Sequence, residues 1–92
     1  MDTGRPYKDI EVNKDYVIRE FDDGIDPIEL MWHRDAEDRL IEPLMANNWG
    51  FQYDNELPIP LTKNKPLKIG KYEWHRVIKG DGNLLLKITK LV

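Results

Sequence analysis

Apolar and polar residues alternate along much of this chain, in runs too short for long helices. Trp49, Phe51 and Tyr53 are separated by Gly50, Gln52 and Asp54, and Leu67 and Ile69 flank Lys68. Leu84, Leu86 and Ile88 are separated by Leu85, Lys87 and Thr89. A period of two marks a strand with one buried face, and Leu85 adds cover on the second face of the last strand. Tyr16–Phe21 and Ile28–His33 are dense in β-branched and aromatic residues, which predicts two further strands.

Turn-forming residues interrupt these runs at short intervals. Asp22-Asp23-Gly24 with Asp26-Pro27, Asn47-Asn48, Asp54-Asn55, Asn64-Lys65-Pro66, Gly70 and Gly80-Asp81-Gly82 punctuate the chain. Gly80-Asp81-Gly82-Asn83 lies between two apolar runs and reads as a hairpin turn, where glycine supplies a positive φ without steric cost. One stretch has a helical look: Asp35-Ala36-Glu37-Asp38 resembles an N-cap with an acidic first turn, followed by Leu40/Leu44 and Ile41/Met45 four apart. Pro43 opposes a helix there, because an interior proline costs ~3 kcal/mol. The prediction is a loop with at most one helical turn over 36–39, then a strand over 39–45 with Pro43 at an edge or bulge. The whole pattern predicts an all-β barrel or sandwich of seven to nine short antiparallel strands. Strands begin near residue 9, and residues 1–8 are loosely ordered.

Length bounds this picture to one domain over residues 1–92. No apolar stretch is long enough for a transmembrane helix, and Met1–Pro6 lacks the apolar segment of a signal peptide, so a cytoplasmic protein is expected. Cysteine is absent, which excludes disulfides, thiolate metal sites and thiol catalysis; serine is absent too, which excludes a serine triad. There is no glycine-rich phosphate loop. The net charge is −3, yet residues 1–56 carry 6 positive and 15 negative side chains while residues 57–92 carry 8 and 2. In a β-fold such blocks interleave as strands pair. A basic face built from Lys63, Lys65, Lys68 and Lys71 would suit nucleic acid, but the negative total and the lack of a binding signature speak against it.

The candidate chemistry lies in two tripeptides. The two histidines both sit in Trp-His-Arg, at Trp32-His33-Arg34 and Trp74-His75-Arg76. On strands, His33 and Asp35 share one face with Trp32 and Arg34 opposite; Glu73, His75 and Val77 share a face opposite Trp74 and Arg76. If the two strands converge across a barrel, His33, Asp35 and His75 form a two-imidazole, one-carboxylate set of the kind that holds Fe, Mn, Ni or Zn, with Glu73 or Asp38 as a fourth ligand. A second reading stays open, in which each histidine caps a strand end beside a packed tryptophan and Asp35 is a turn residue. Arg34, Arg39 and Arg76, with Gln52, are candidates to orient an anionic ligand at the mouth, since guanidinium groups hold carboxylate or phosphate bidentately. Trp32 and Trp74 point away from the histidines and are expected to be covered at a homodimer interface.

Residues 28–92 resemble a minimal single-domain cupin, a double-stranded β-helix. His33 matches the first histidine of that family's His-x-His motif and Asp35 the second, and the strand–turn–histidine run Leu67–Val77 is similar to its second motif. The separation of His33 and His75 suits the gap between the two motifs. Arg39 or Leu40 stands where a glutamate ligand would fall, and the second motif lacks its proline. The pattern also resembles small proteins encoded by tailed bacteriophages, which would place it in the host cytoplasm. The resemblance implies a metal-dependent oxygenase, isomerase or lyase acting on a small anionic molecule. The reading preferred from the residues is a non-catalytic binding or interaction module with structural histidines, whose mouth is lined by the same His, Asp and Arg residues and whose tryptophan-rich faces take a protein partner.

Overall fold

The computed structural model describes residues 6–91. Its longest strand, β8 (Asp81–Leu91), buries Leu84, Leu86 and Ile88, the alternate apolar positions of its sequence. It pairs on one side with β2 (Val17–Phe21) and on the other with β3 (Asp38–Asn47), so that Ile41 lies opposite Ile88 and Phe21 opposite Leu84. Strands β1 (Lys8–Val12) and β6 (Leu67–Ile69) complete a five-stranded sheet in the order β1-β2-β8-β3-β6. A smaller sheet has β4 (Gly50–Tyr53) between β5 (Ile59–Pro60) and β7 (His75–Ile78). Every pairing is antiparallel. Apolar side chains of the two sheets meet in one core that includes Phe21, Ile41, Trp49, Phe51, Val77, Leu84 and Leu86. The all-β expectation holds: the described residues form eight strands and one 3-10 turn. Among them, no helix is long and apolar enough to cross a membrane.

The strand over 39–45 is real but longer, and Pro43 sits at a register shift between Pro43 and Met45. Proline has no N–H to give, and a bulge is where a ladder tolerates that loss. Residues 36–37 form a bend, with no helical turn. Asn48, Asn55 and Asn64 all take positive φ, at the breaks that their sequence signals marked. The charge blocks interleave: β8, from the basic segment, lies between β2 and β3 from the acidic one, with Glu42 opposite Lys87.

Two expectations need correction. Ile28–His33 is not a strand. Asp26 accepts the Ile28 N–H at 3.1 Å and Pro27 presets φ, so Pro27–Glu29 closes as a 3-10 turn. Only Leu30 of that apolar run enters the core, while Ile28 and Met31 face solvent. Gly80–Asn83 is not a hairpin turn either. β7 and β8 belong to different sheets, and the chain crosses between them at Gly80. A Cβ on Gly80 would lie 2.4 Å from the Asn48 carbonyl carbon and the Trp49 nitrogen, so glycine is required by close backbone approach. The buried Trp49 fastens this crossing, its Nε1–H shared between the carbonyls of Asp81 and Gly82 at 3.2 Å each. Lys8 opens β1, close to the expected start of the strands, and the Tyr7 ring packs against Phe21 at 5.6 Å. The remainder of the expectation, for residues 1–5, lies outside the described residues.

Candidate metal centre

The repeated Trp-His-Arg tripeptide has a structural explanation. One edge of β7 pairs with β4; the other meets the loop before β3 through a single antiparallel bridge, His33 opposite His75. The His33 N–H donates to the His75 carbonyl at 3.0 Å and the His75 N–H returns to the His33 carbonyl at 2.9 Å. That register sets Trp32 against Arg76 and Arg34 against Trp74. Arg76 accordingly lies over the Trp32 ring at 4.8 Å, and Arg34 over the Trp74 ring at 5.0 Å. Alternation puts both imidazoles on the inner side, 4.1 Å apart between ring centroids and edge to face. His75 also stacks on the buried Phe51 ring at 5.6 Å.

Asp35 follows two residues after His33 and brings its carboxylate to the same side. One ligand atom from each of His33, Asp35 and His75 lies within 4.8 Å of the others, so the three residues named from sequence do converge. His33 is exposed, Asp35 half-buried and His75 buried. The chain is fixed by the Tyr72 N–H, which donates to the Asp35 carbonyl at 2.7 Å from a residue held at φ 60°. A non-glycine residue in that region is strained and persists where its surroundings over-determine it.

Hydrogen bonding assigns the histidine tautomers. A carbonyl can only accept, so the 2.7 Å contact between His75 Nδ1 and the Glu73 carbonyl makes Nδ1 the donor. Burial above all lowers the pKa of His75 below its ordinary value; His33 and Arg39 add to that, while the Glu73 carbonyl and Asp35 oppose it. His75 is therefore neutral near pH 7 and its Nε2 carries a lone pair. That lone pair faces Asp35 Oδ2 at 3.4 Å, and Oδ2 is buried without a hydrogen-bond partner. Two acceptors facing one another with no donor between them repel, and a cation between them removes the repulsion. His33 donates from Nδ1 to the Met31 carbonyl at 3.3 Å, leaving its Nε2 as an acceptor too. Backbone carbonyls that orient ring nitrogens in this way are the usual outer support of imidazole ligands. The donor set thus fits a divalent ion.

The three side chains sit on the wall of a cavity of about 460 Å³. Its floor is apolar, with Phe21, Ile41, Phe51, Val77, Leu86 and Ile88, and its polar rim includes Arg34 and Arg39. Arg39 gives Nε–H to Glu37 at 2.8 Å and places Nη1 3.3 Å from Asp35 Oδ1. The remaining expected site residues lie elsewhere. Arg76 donates to Gln52 at 2.9 Å, and neither residue lines the cavity, because β7 alternation turns Arg76 outward with Trp74. Glu73 accepts the Gly70 N–H at 2.9 Å and Asp38 the Lys71 N–H at 2.7 Å, so both serve turns and neither joins the cluster. Trp32 and Trp74 do face outward and are about two-fifths exposed. Sequence reasoning missed Arg19, which lines the cavity, lies 3.7 Å from the Tyr7 ring centroid and pairs with Asp9 at 2.8 Å. The signal was present: Arg19 shares the inward alternation of Val17 and Phe21.

No protein-family model and no curated protein matches the chain. Solved structures do. A cupin domain from Bordetella pertussis Tohama I superposes with a TM-score of 0.60 over 94% of this chain and 92% of that one, at 16% identity. The chain has the cupin fold. Two further matches are larger proteins. Hydroxypropylphosphonic acid epoxidase from S. wedmorenis gives a TM-score of 0.66 at 11% identity, over 83% of this chain and 42% of that one. A structure of DMSP lyases gives 0.71 at 13%, over 84% and 37%. This chain therefore spans about two-fifths of either enzyme. At such identities the likeness carries the fold alone.

Proposed function

We propose that this cupin-fold protein binds a divalent metal ion through His33, Asp35 and His75 and, with that ion, holds a small anionic molecule in the adjoining cavity. One observation carries the reading: the lone pair of the neutral His75 Nε2 faces the partnerless buried Asp35 Oδ2. Fe, Mn, Ni and Zn all accept two imidazoles and a carboxylate. The Fe(II) and Co(II) forms of HppE among the structural neighbours support a metal in this fold. Arg34 and Arg39 on the rim favour an anionic head group, and the apolar floor favours a hydrocarbon body. A bound ion would supply Lewis-acid polarisation of that head group. On this reading an oxygenase, isomerase or lyase activity is the extension of binding.

One observation favours the alternative, a metal-free binding module. Arg39 already gives Asp35 a positive neighbour at 3.3 Å, which offsets part of the carboxylate charge. Thermal unfolding with and without metal separates the two. With free metal at a hundred times Kd the native state gains about 2.7 kcal/mol, a rise of about 10–20 °C for a domain of this size. The shift is expected at pH 7.5, is expected to shrink at pH 5.5 as protons compete with the ion for its ligands, and is expected to vanish in His33→Ala. His33 is exposed, so that variant removes a ligand and leaves the core alone. Absence of any shift with all four ions would overturn the metal reading.

A further inference from the structure

The segment that carries His33 and Asp35 belongs to neither sheet. Between the 3-10 turn Pro27–Glu29 and β3 it runs along the free edge of β7, and its regular pairing there is the one His33–His75 bridge. In an antiparallel ladder the positions flanking a doubly hydrogen-bonded pair bring their side chains closest. Those flanks are the two crossed pairs, Trp32 with Arg76 and Arg34 with Trp74. Arg76 is held from its other side by Gln52 of β4, which ties the first pair to the interior of the small sheet. Arg34 also lies 5.8 Å from the Tyr72 ring, and Tyr72 is the residue whose N–H fixes the Asp35 carbonyl.

We infer that the paired Trp-His-Arg tripeptides form a clasp on the outer surface that docks the 30–36 segment onto β7 and so brings His33 and Asp35 to His75. Trp32, Trp74 and Arg76 are then positioning residues for the metal centre. They act through the backbone bridge, from the opposite face of the ladder. This inference rests on the metal reading. It accounts for what that reading leaves unexplained, namely why the same tripeptide stands on both sides of the bridge and why two large aromatic rings are kept half exposed. A bridge held only by its own two hydrogen bonds would fray, since isolated surface pairing opens at little cost.

The test compares Trp32→Leu, Trp74→Leu and the double variant with the unaltered protein; Leu keeps apolar contact and removes the ring. The conservative Trp32→Tyr restores a ring. In metal-free protein, amide hydrogen exchange of His33 and His75 is read against Leu86 in the core of β8. With Co(II), the dissociation constant and the ligand-field spectrum are read. Each cation–π pair lost is expected to speed exchange of the two histidine amides about threefold, and both about tenfold, with Leu86 unchanged. The Co(II) dissociation constant is expected to rise by the factor by which the docked population, read from the exchange, falls, while the spectrum keeps its shape, and Trp32→Tyr is expected to recover most of the lost protection. Unchanged histidine exchange in the double variant, or a Co(II) affinity that does not follow the docked population, would overturn the clasp. Equal acceleration at Leu86 would do so as well, because it would mean general destabilisation. Failure of the unaltered protein to bind Co(II) would overturn the metal reading itself, and with it the positioning role.

Discussion

Replacing Asp35 by asparagine should make the metal-free protein more stable and abolish its response to metal. The buried Asp35 Oδ2 lies 3.4 Å from His75 Nε2 and has no hydrogen-bond partner. An orphaned buried acceptor costs about 1–3 kcal/mol, and a new hydrogen bond contributes about 0.5–1.5 kcal/mol. In Asp35→Asn the amide can turn its N–H toward the lone pair of His75, which removes the first cost and adds the second. Against this stands the weakened contact of Arg39 with Oδ1, 3.3 Å away. Exchanging a charged for a neutral acceptor there loses about 1–1.5 kcal/mol. The net is a gain of about 2 kcal/mol, or about 8–16 °C in Tm for a domain of this length. Circular dichroism melts in EDTA at pH 7.5, repeated with Ni(II) or Zn(II), read both effects at once. A lower Tm than the unaltered protein in EDTA would refute the opposed-acceptor argument. A full metal shift in the variant would refute the role of Asp35 as a ligand.

Two further outcomes follow from the same structure. The folded pKa of His75 lies below its ordinary 6.5, chiefly through burial. The unfolded chain therefore takes up its proton first, so the stability of the metal-free protein should be full above pH 6.5 and fall as pH drops below it; urea unfolding at pH 7.5 and 5.5 in EDTA measures this, and greater stability at 5.5 would contradict it. Gly80→Ala should lower stability by about 1–3 kcal/mol through overpacking against the Asn48–Trp49 peptide. Its urea midpoint should fall while its metal-induced shift persists, because the crossing lies away from the cluster.

Much of this was legible in the sequence because alternation is a local property. Leu84, Leu86 and Ile88 declared their buried face, Asn48, Asn55 and Asn64 their turns, and His33, Asp35 and His75 the side from which they could converge. What failed depended on partners distant in the chain. Ile28–His33 has strand composition, but the Asp26-Pro27 pair captures its start, and Ile28 and Met31 are left exposed. Gly80–Asn83 has hairpin composition, yet its use was set by the approach of the Asn48–Trp49 backbone from the other crossing. The outward turn of Arg76 followed from its own alternation with His75, whereas its partner Trp32 could be named only once the register of the bridge was known.

A titration of the metal-free protein with Co(II) at pH 7.5, followed by ligand-field absorption and checked by elemental analysis after desalting, tests the central claim most directly. The account predicts saturation at one Co(II) per chain, competition by Zn(II), and loss of the signal in His33→Ala. Absorption that rises without saturating, or that is the same in His33→Ala, would contradict it.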